Sequence, residues 1–195
     1  DEDLDYLCKA QRILDIIYEA EMVGRKIIIF SYFIDTINNI RNYLIEKMGK
    51  DKCMKPIRGN VSVDERARIL KDFEKAPAGT VLLSQINSGG TGLNIQSASV
   101  VIICEPQYKP STEKQAICRA HRMGQTRNVL AYHLVCENTI EELLVERLMV
   151  KQRIFNEFAD ESIAAQRSEE FNDKKFGELI QEEIDTINEK RRSCK

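Results

Sequence analysis

The chain has 195 residues, of which 43% are hydrophobic and 31% charged, with a formal net charge of −2. That supports one buried core plus an appendage, and it excludes a generally basic nucleic-acid binder, so any contact with DNA has to come from a local patch. No apolar run reaches the roughly 18 residues that a membrane-spanning helix needs.

The start, Asp1-Glu2-Asp3, lacks a signal-peptide pattern, and the missing initiator Met suggests a piece of a longer chain. Leu7, Ile13, Leu14, Ile16 and Ile17 recur at helical spacing and predict a first helix ending near Gly24. The β-branched run Lys26 to Ser31 then predicts a buried strand, and Ile34, Ile37, Ile40, Tyr43 and Leu44 a helix over 34–48. Met54 to Arg58 is a short strand candidate. Ser62 with Glu65 three residues on is a capping-box signature for a helix through Ile69, Leu70 and Phe73, which Pro77-Ala-Gly79 stops.

Further apolar runs at Val81–Leu83, Val100–Ile103 and Val129–Val135 predict more strands, with a helix at about 112–123 between the last two. Short apolar runs alternating with helices describe βαβ units around a parallel sheet buried on both faces. From about 138 the pattern is helical, with Ile140, Leu143, Leu144, Leu148, Ile154 and Phe158 on one face. A polar segment 159–175 reads as a loop, and 176–190 as a last amphipathic helix. The basic end Lys190 to Lys195 reads as a frayed terminus or a nucleic-acid contact.

Cys8, Cys53, Cys104, Cys118, Cys136 and Cys194 form no C-x-x-C pair, and several lie in apolar runs. Buried reduced thiols in a cytosolic or nuclear protein are the simplest account. With only His121 and His133 available, the sequence argues against a structural metal site.

Two stretches carry chemistry. In Gln115-Ala-Ile-Cys-Arg119-Ala-His-Arg122-Met-Gly124-Gln125, Thr112 can cap a helix with Gln115 as its partner, Pro110 precedes the helix, and Gly124 ends it. Arg119 and Arg122, three apart, then share one face. Such a pair suits the charge that develops on a transferred phosphoryl group, and on spacing alone it suits surface ion pairs as well. After the strand at 81–83, Ser84 to Asn94 holds Gly89, Gly90 and Gly92, which let a backbone approach a ligand closely or simply form a turn. The loop matches neither a Walker A motif nor a dinucleotide fingerprint.

The ordered set Phe30-Ser31, Arg58-Gly59-Asn-Val-Ser-Val-Asp-Glu-Arg66, Ser84 to Asn94 and Gln115 to Gln125 resembles the C-terminal motor lobe of Swi/Snf-type ATPases in helicase superfamily two, over roughly residues 8–147. The resemblance implies an α/β fold: a RecA-like parallel sheet flanked by helices, with a C-terminal helical extension over 148–195. It implies that Arg119 and Arg122 are arginine fingers and that Gln115, Gly92, Asn94 and Gln125 lie at the nucleotide. Ser31, Gly59, Ser84 and Gly89 are implied as DNA phosphate contacts. Gln125, where RNA-helicase lobes usually carry Arg, favours the double-stranded DNA translocases.

The implied cofactors are ATP and Mg, held mainly by an N-terminal lobe of the same polypeptide, and the implied partner is double-stranded DNA. Hydrolysis is expected only from the longer protein, in an intracellular setting, cytoplasmic in a bacterium or nuclear in a eukaryote. Asn138 or Thr139 would cap the helix that braces the lobes. One departure stands out: Cys104-Glu-Pro-Gln-Tyr108-Lys109-Pro110 replaces the family's Asp-x-x-Trp-Asn-Pro, and the chain has no Trp. Around it, Lys109, Lys114, Arg119, Arg122 and Arg127 outnumber Glu105 and Glu113, a modestly basic face or a solvated surface.

Two other readings compete. A degenerate scaffold lobe that binds DNA or protein draws on the altered Tyr108-Lys109 segment, while the intact arginine pair opposes it. A free-standing Rossmann enzyme lacks both the glycine fingerprint after the first strand and the acidic residue after the second.

Overall fold

The computed structural model describes residues 2–88, 95–121 and 125–159. It divides into two compact units, one ending at Cys136 and the other beginning at Glu137.

In the first unit, β1 (Ile27–Ser31), β2 (Val81–Gln85), β3 (Val100–Ile103) and β4 (Leu130–His133) form a wholly parallel sheet in the order β2-β1-β3-β4. The strands read as continuous apolar runs because the central ones are covered on both faces. Ile27, Ile29, Val81, Leu83, Val100 and Ile102 pack under Ile13, Ile16 and Ile17 of helix α1 (Glu2–Met22) and Ile37, Ile40 and Leu44 of α2 (Ile34–Met48). The alternate residues Ile28, Phe30, Leu82, Val101 and Ile103 meet Ile69 and Phe73 of α3 (Val63–Lys75) and Ala116 and Ala120 of α4 (Pro110–Ala120). Each fully buried large side chain of this kind contributes about 1.5–3 kcal/mol. Lys26 fastens α3 to the start of β1, donating from Nζ to the carbonyls of Phe73 (2.9 Å) and Glu74 (2.6 Å).

Between β1 and β2 the chain runs along one face as α2, rounds the sheet edge through 49–61, and returns along the other face as α3. The candidate strand at Met54–Arg58 lies on that edge but is not a strand. It makes isolated bridges, Cys53 to Val81 and Ile57 to Ser84, whose offsets differ by one residue. Pro56 between them has no N–H to give a ladder, so only Met54 N and Ile57 N donate to β2, to Val81 O and Leu83 O at 2.9 Å each.

Other expectations shift for local reasons. Helix α4 starts at Pro110, not 112: its N-cap is Lys109 and proline occupies the first turn, where its missing N–H costs nothing. It also ends sooner, with His121 as C-cap, while Gly124 lies outside the described residues. The Ser62 hydroxyl caps α3 by accepting from Glu65 N at 3.3 Å, but the Glu65 carboxylate turns away to Lys55, so only half of the capping box forms. Strand β4 is not buried on both faces: it is an edge strand, and Leu130 stays 42% exposed. Among the described cysteines Cys53 and Cys104 are buried, whereas Cys8 and Cys118 are exposed and Cys136 is half-buried; none of these is in a disulfide.

In the second unit, α5 (Ile140–Ala159) begins after Thr139, whose hydroxyl accepts from Glu141 N at 3.2 Å. Asn138, at φ 58°, donates its N–H to Glu142 Oε2 at 2.8 Å. The loop and helix expected beyond Ala159 lie outside the described residues. No described helix is long and apolar enough to cross a membrane.

Candidate nucleotide and DNA face

Parallel strands put all their C-terminal ends on one rim. There the chain leaves β1 toward β2 and leaves β3 toward β4, in opposite directions, so a crevice opens between β1 and β3. Residues after three strands line a cavity of about 280 Å³ at this point, among them Tyr32, Phe33, Asn87, Glu105 and Tyr108.

A chain of hydrogen bonds crosses the rim. Gly59 N donates to Gln85 Oε1 (3.4 Å), and Gln85 Nε2 donates to Tyr32 O (3.3 Å). Glu105 then accepts from the Ser31 hydroxyl (2.6 Å) and from Tyr32 N (3.2 Å). Gln107 donates from Nε2 to Glu105 O (3.0 Å) and from its backbone N to Glu113 Oε1 (2.7 Å). The other Glu113 oxygen meets His133 Nε2 at 3.1 Å, at the end of β4. That hydrogen bond raises the His133 pKa above its usual 6.5; burial opposes the rise, and the Glu113 charge adds to it. A second organiser is the Arg66 guanidinium, which donates to Ser88 O (2.8 Å), Arg58 O (3.1 Å) and Gly59 O (3.0 Å).

Ser31 and Ser84 are 1% and 0% exposed. The Ser84 hydroxyl lies 3.4 Å from Gln85 O and 3.5 Å from Ser88 Oγ. Both hydroxyls are therefore engaged within the fold, and what the rim presents outward is the turns they anchor. Gly59 is exposed.

Arg119 is half-buried on the last turn of α4, and Gln115 is exposed one turn earlier. Ile95, the residue after the glycine-rich stretch, donates its N–H to Arg119 O at 3.0 Å. Gln125 gives its amide to Gln96 O (2.7 Å) and Ala98 O (2.9 Å) and accepts from Arg127 N (3.0 Å). It binds the α4 exit to the loop before β3. The expectation that Arg119 and Arg122 share one helical face falls on a residue outside those described. Arg122, Gly89, Gly92 and Asn94 lie outside the described residues.

Glu105, Gln85, Arg66 and Glu113 emerge here as organisers that the sequence did not assign. Arg66 stood in a quoted motif, Glu105 in the departure from the family pattern, and Glu113 only in the charge balance; the contacts that join the strands, Glu105 to Ser31, Arg66 to Ser88 and Glu113 to His133, are distant in sequence.

Comparison with known proteins places this geometry. A model of the helicase conserved C-terminal domain matches residues 8–124. The SNF2 domain-containing protein ENL1 of Oryza sativa subsp. japonica is 32% identical over 151 residues, covering 77% of this chain and 15% of that protein. The chromatin-remodeling ATPase INO80 of Homo sapiens is 32% identical over 131 residues, covering 67% of this chain and 8% of that protein. The solved SWI2/SNF2 ATPase C-terminal domain of Sulfolobus solfataricus has a TM-score of 0.59 at 27% identity, covering 77% of this chain and 59% of that one. The chain thus spans a small part of these curated relatives. It belongs to the helicase conserved C-terminal domain family, as a RecA-like C-terminal lobe of the Snf2 type.

Proposed function

We propose that this chain is the second motor lobe of an ATP-driven translocase on double-stranded DNA, closing on an N-terminal lobe of the same polypeptide. The observation that carries the reading is the Ile95-to-Arg119 bond of 3.0 Å, which holds the exit of the glycine-rich stretch against the last turn of α4. A guanidinium carried on that last turn suits a phosphate group. Relatives named as a SNF2 domain protein and a chromatin-remodeling ATPase agree with such a motor.

A guanidinium at Arg119 and an exposed amide at Gln115 fit phosphate oxygens. The described residues offer no group of carboxylates, histidines or cysteines fit for a metal ion, and the sequence has no lysine-bearing phosphate loop. Magnesium and most of the triphosphate are therefore assigned to the partner lobe. ATP, when bound, supplies the phosphoanhydride whose cleavage drives the cycle. Arg119 and Arg122 meet the charge that develops there, Gln115, Gly92 and Asn94 lie on the nucleotide side, and Gln125 positions the loop before β3.

Ser31, Gly59, Ser84 and Gly89 are assigned to the DNA phosphates, Ser31 and Ser84 through the turns that their buried hydroxyls anchor. Residues 1–147 form the lobe and 148–195 a brace, in an intracellular motor. Arg119→Ala in the longer protein is expected to slow single-turnover ATP cleavage while duplex binding persists; an unchanged rate ends the assignment.

A further inference from the structure

We propose that the cleft between α2 and the 50–61 segment is a phosphate-binding site. It opens on the sheet edge where the chain rounds from α2 to α3, has a volume of about 1050 Å³, and is lined by Asn38, Arg41, Asn42, Lys50, Arg58 and Asn60 together with Lys55, Asp51 and Glu65. Lys55 and Glu65 pair with each other, which leaves Arg41, Lys50 and Arg58 facing Asp51 as the only remaining acid of the lining.

The two arginines are half-buried, and the Nε–H of each is buried without a partner among the described residues. Arg58 spends one Nη2 donor on Asn38 Oδ1. Arg41 is paired with no acidic side chain among the described residues. A buried donor left unmet carries a desolvation penalty, and so favours a ligand rich in acceptors. Guanidinium forks beside three asparagine amides match an oxyanion with several acceptor oxygens and negative charge.

Phosphate is favoured over a carboxylate peptide because of where the cleft leads. Arg58 immediately precedes Gly59 on the rim, so the cleft continues the face assigned above to the DNA backbone. The phosphoryl group comes either from that backbone or from free phosphate. Only the first source rests on the DNA reading.

The test uses the 195-residue chain, Arg41→Gln and Arg58→Gln, with Arg12→Gln, whose surface partner is Glu19, as a charge-matched control. Inorganic phosphate is titrated by calorimetry and a short blunt DNA duplex by anisotropy across a salt series, with thermal unfolding as the check on folding. Phosphate binding is expected in the parent chain and control, weakened about tenfold in either cleft variant, the loss of one charge-assisted pair. If the source is DNA, each cleft variant also lowers the salt slope of duplex binding by about 0.9. An unchanged duplex slope with lost phosphate binding assigns the cleft to free phosphate.

Phosphate binding equal in all variants, or absent from the parent chain together with an unchanged duplex slope, overturns the site. So does a glutamate-rich peptide that outcompetes phosphate in the parent chain. Failure of the parent chain to bind duplex defeats the DNA reading instead, and leaves the phosphate titration to decide the cleft.

Discussion

Glu105 and Ser31 join the ends of the two central strands: the Ser31 hydroxyl donates to Glu105 Oε1 at 2.6 Å, and Glu105 Oε2 accepts from the next backbone amide, Tyr32 N, at 3.2 Å. One carboxylate thereby ties β1 to the exit of β3 beside the crevice. A charge-assisted hydrogen bond in a half-buried setting contributes about 1.5–3 kcal/mol. Glu105→Ala and Ser31→Ala are each expected to lower unfolding stability in urea by about 1–3 kcal/mol. The double variant should lose less than the sum, since both remove the same contact. Additive losses would place the two residues in separate roles.

Gln125 holds the loop before β3 by donating to the Gln96 and Ala98 carbonyls. Gln125→Ala strips those carbonyls of their donor and is expected to cost about 1–3 kcal/mol in denaturant. Gln125→Glu should cost as much or more, because a carboxylate cannot donate. A Gln125→Glu chain as stable as its parent would contradict this bracing.

Arg66 reaches three carbonyls, those of Arg58, Gly59 and Ser88, from one planar group. Lysine carries the charge without the fork. Arg66→Lys is therefore expected to destabilise the chain by about 1–2 kcal/mol and to increase amide hydrogen exchange at Gly59 and Ser88. Unchanged exchange at both turns would show that charge alone suffices.

His133 supplies a pH dependence. Its pKa is raised above 6.5 chiefly by the hydrogen bond to Glu113, so the folded state holds its proton more tightly than the unfolded chain. The contribution is complete below the unfolded value and disappears as pH rises through the folded one. Glu113→Gln should therefore destabilise more at about pH 5.5 than at about pH 8.5. The His133 ring resonances in the parent should titrate with a midpoint above 6.5. A larger penalty at the higher pH would reverse the assignment.

Strands β1, β2 and β3 were legible because each begins as one apolar run. Ile27 and Ile29 serve one face while Ile28 and Phe30 serve the other, so no polar residue interrupts the pattern. The segment Met54–Arg58 has Met54 and Ile57 interspersed with the charged Lys55 and Arg58, and it carries Pro56, whose lost donor reduces it to isolated bridges. At α4 two start signals compete within three residues: the Thr112 hydroxyl suggests a cap, yet Pro110 is already shaped for the first turn and wins. The rim network was hidden for a different reason. Ser31 and Glu105 are 74 residues apart, and the Glu113 to His133 contact depends on strand order, which periodicity does not reveal. The motifs placed Arg119 correctly on its helix, but the helix ends at Ala120, short of the expected 123, with Ala116 and Ala120 packed in the core.

The most direct measurement is DNA-stimulated ATP hydrolysis by the longer protein carrying Arg122→Ala, with duplex affinity measured in parallel. Loss of an arginine finger costs about 10³–10⁵ in rate in other nucleoside triphosphatases. A fall in turnover of that order with duplex binding retained is the predicted result, and the isolated 195-residue chain should hydrolyse no ATP. Undiminished turnover in Arg122→Ala, or genuine hydrolysis by the isolated chain, would contradict a lobe that completes a phosphate pocket held mostly by its partner.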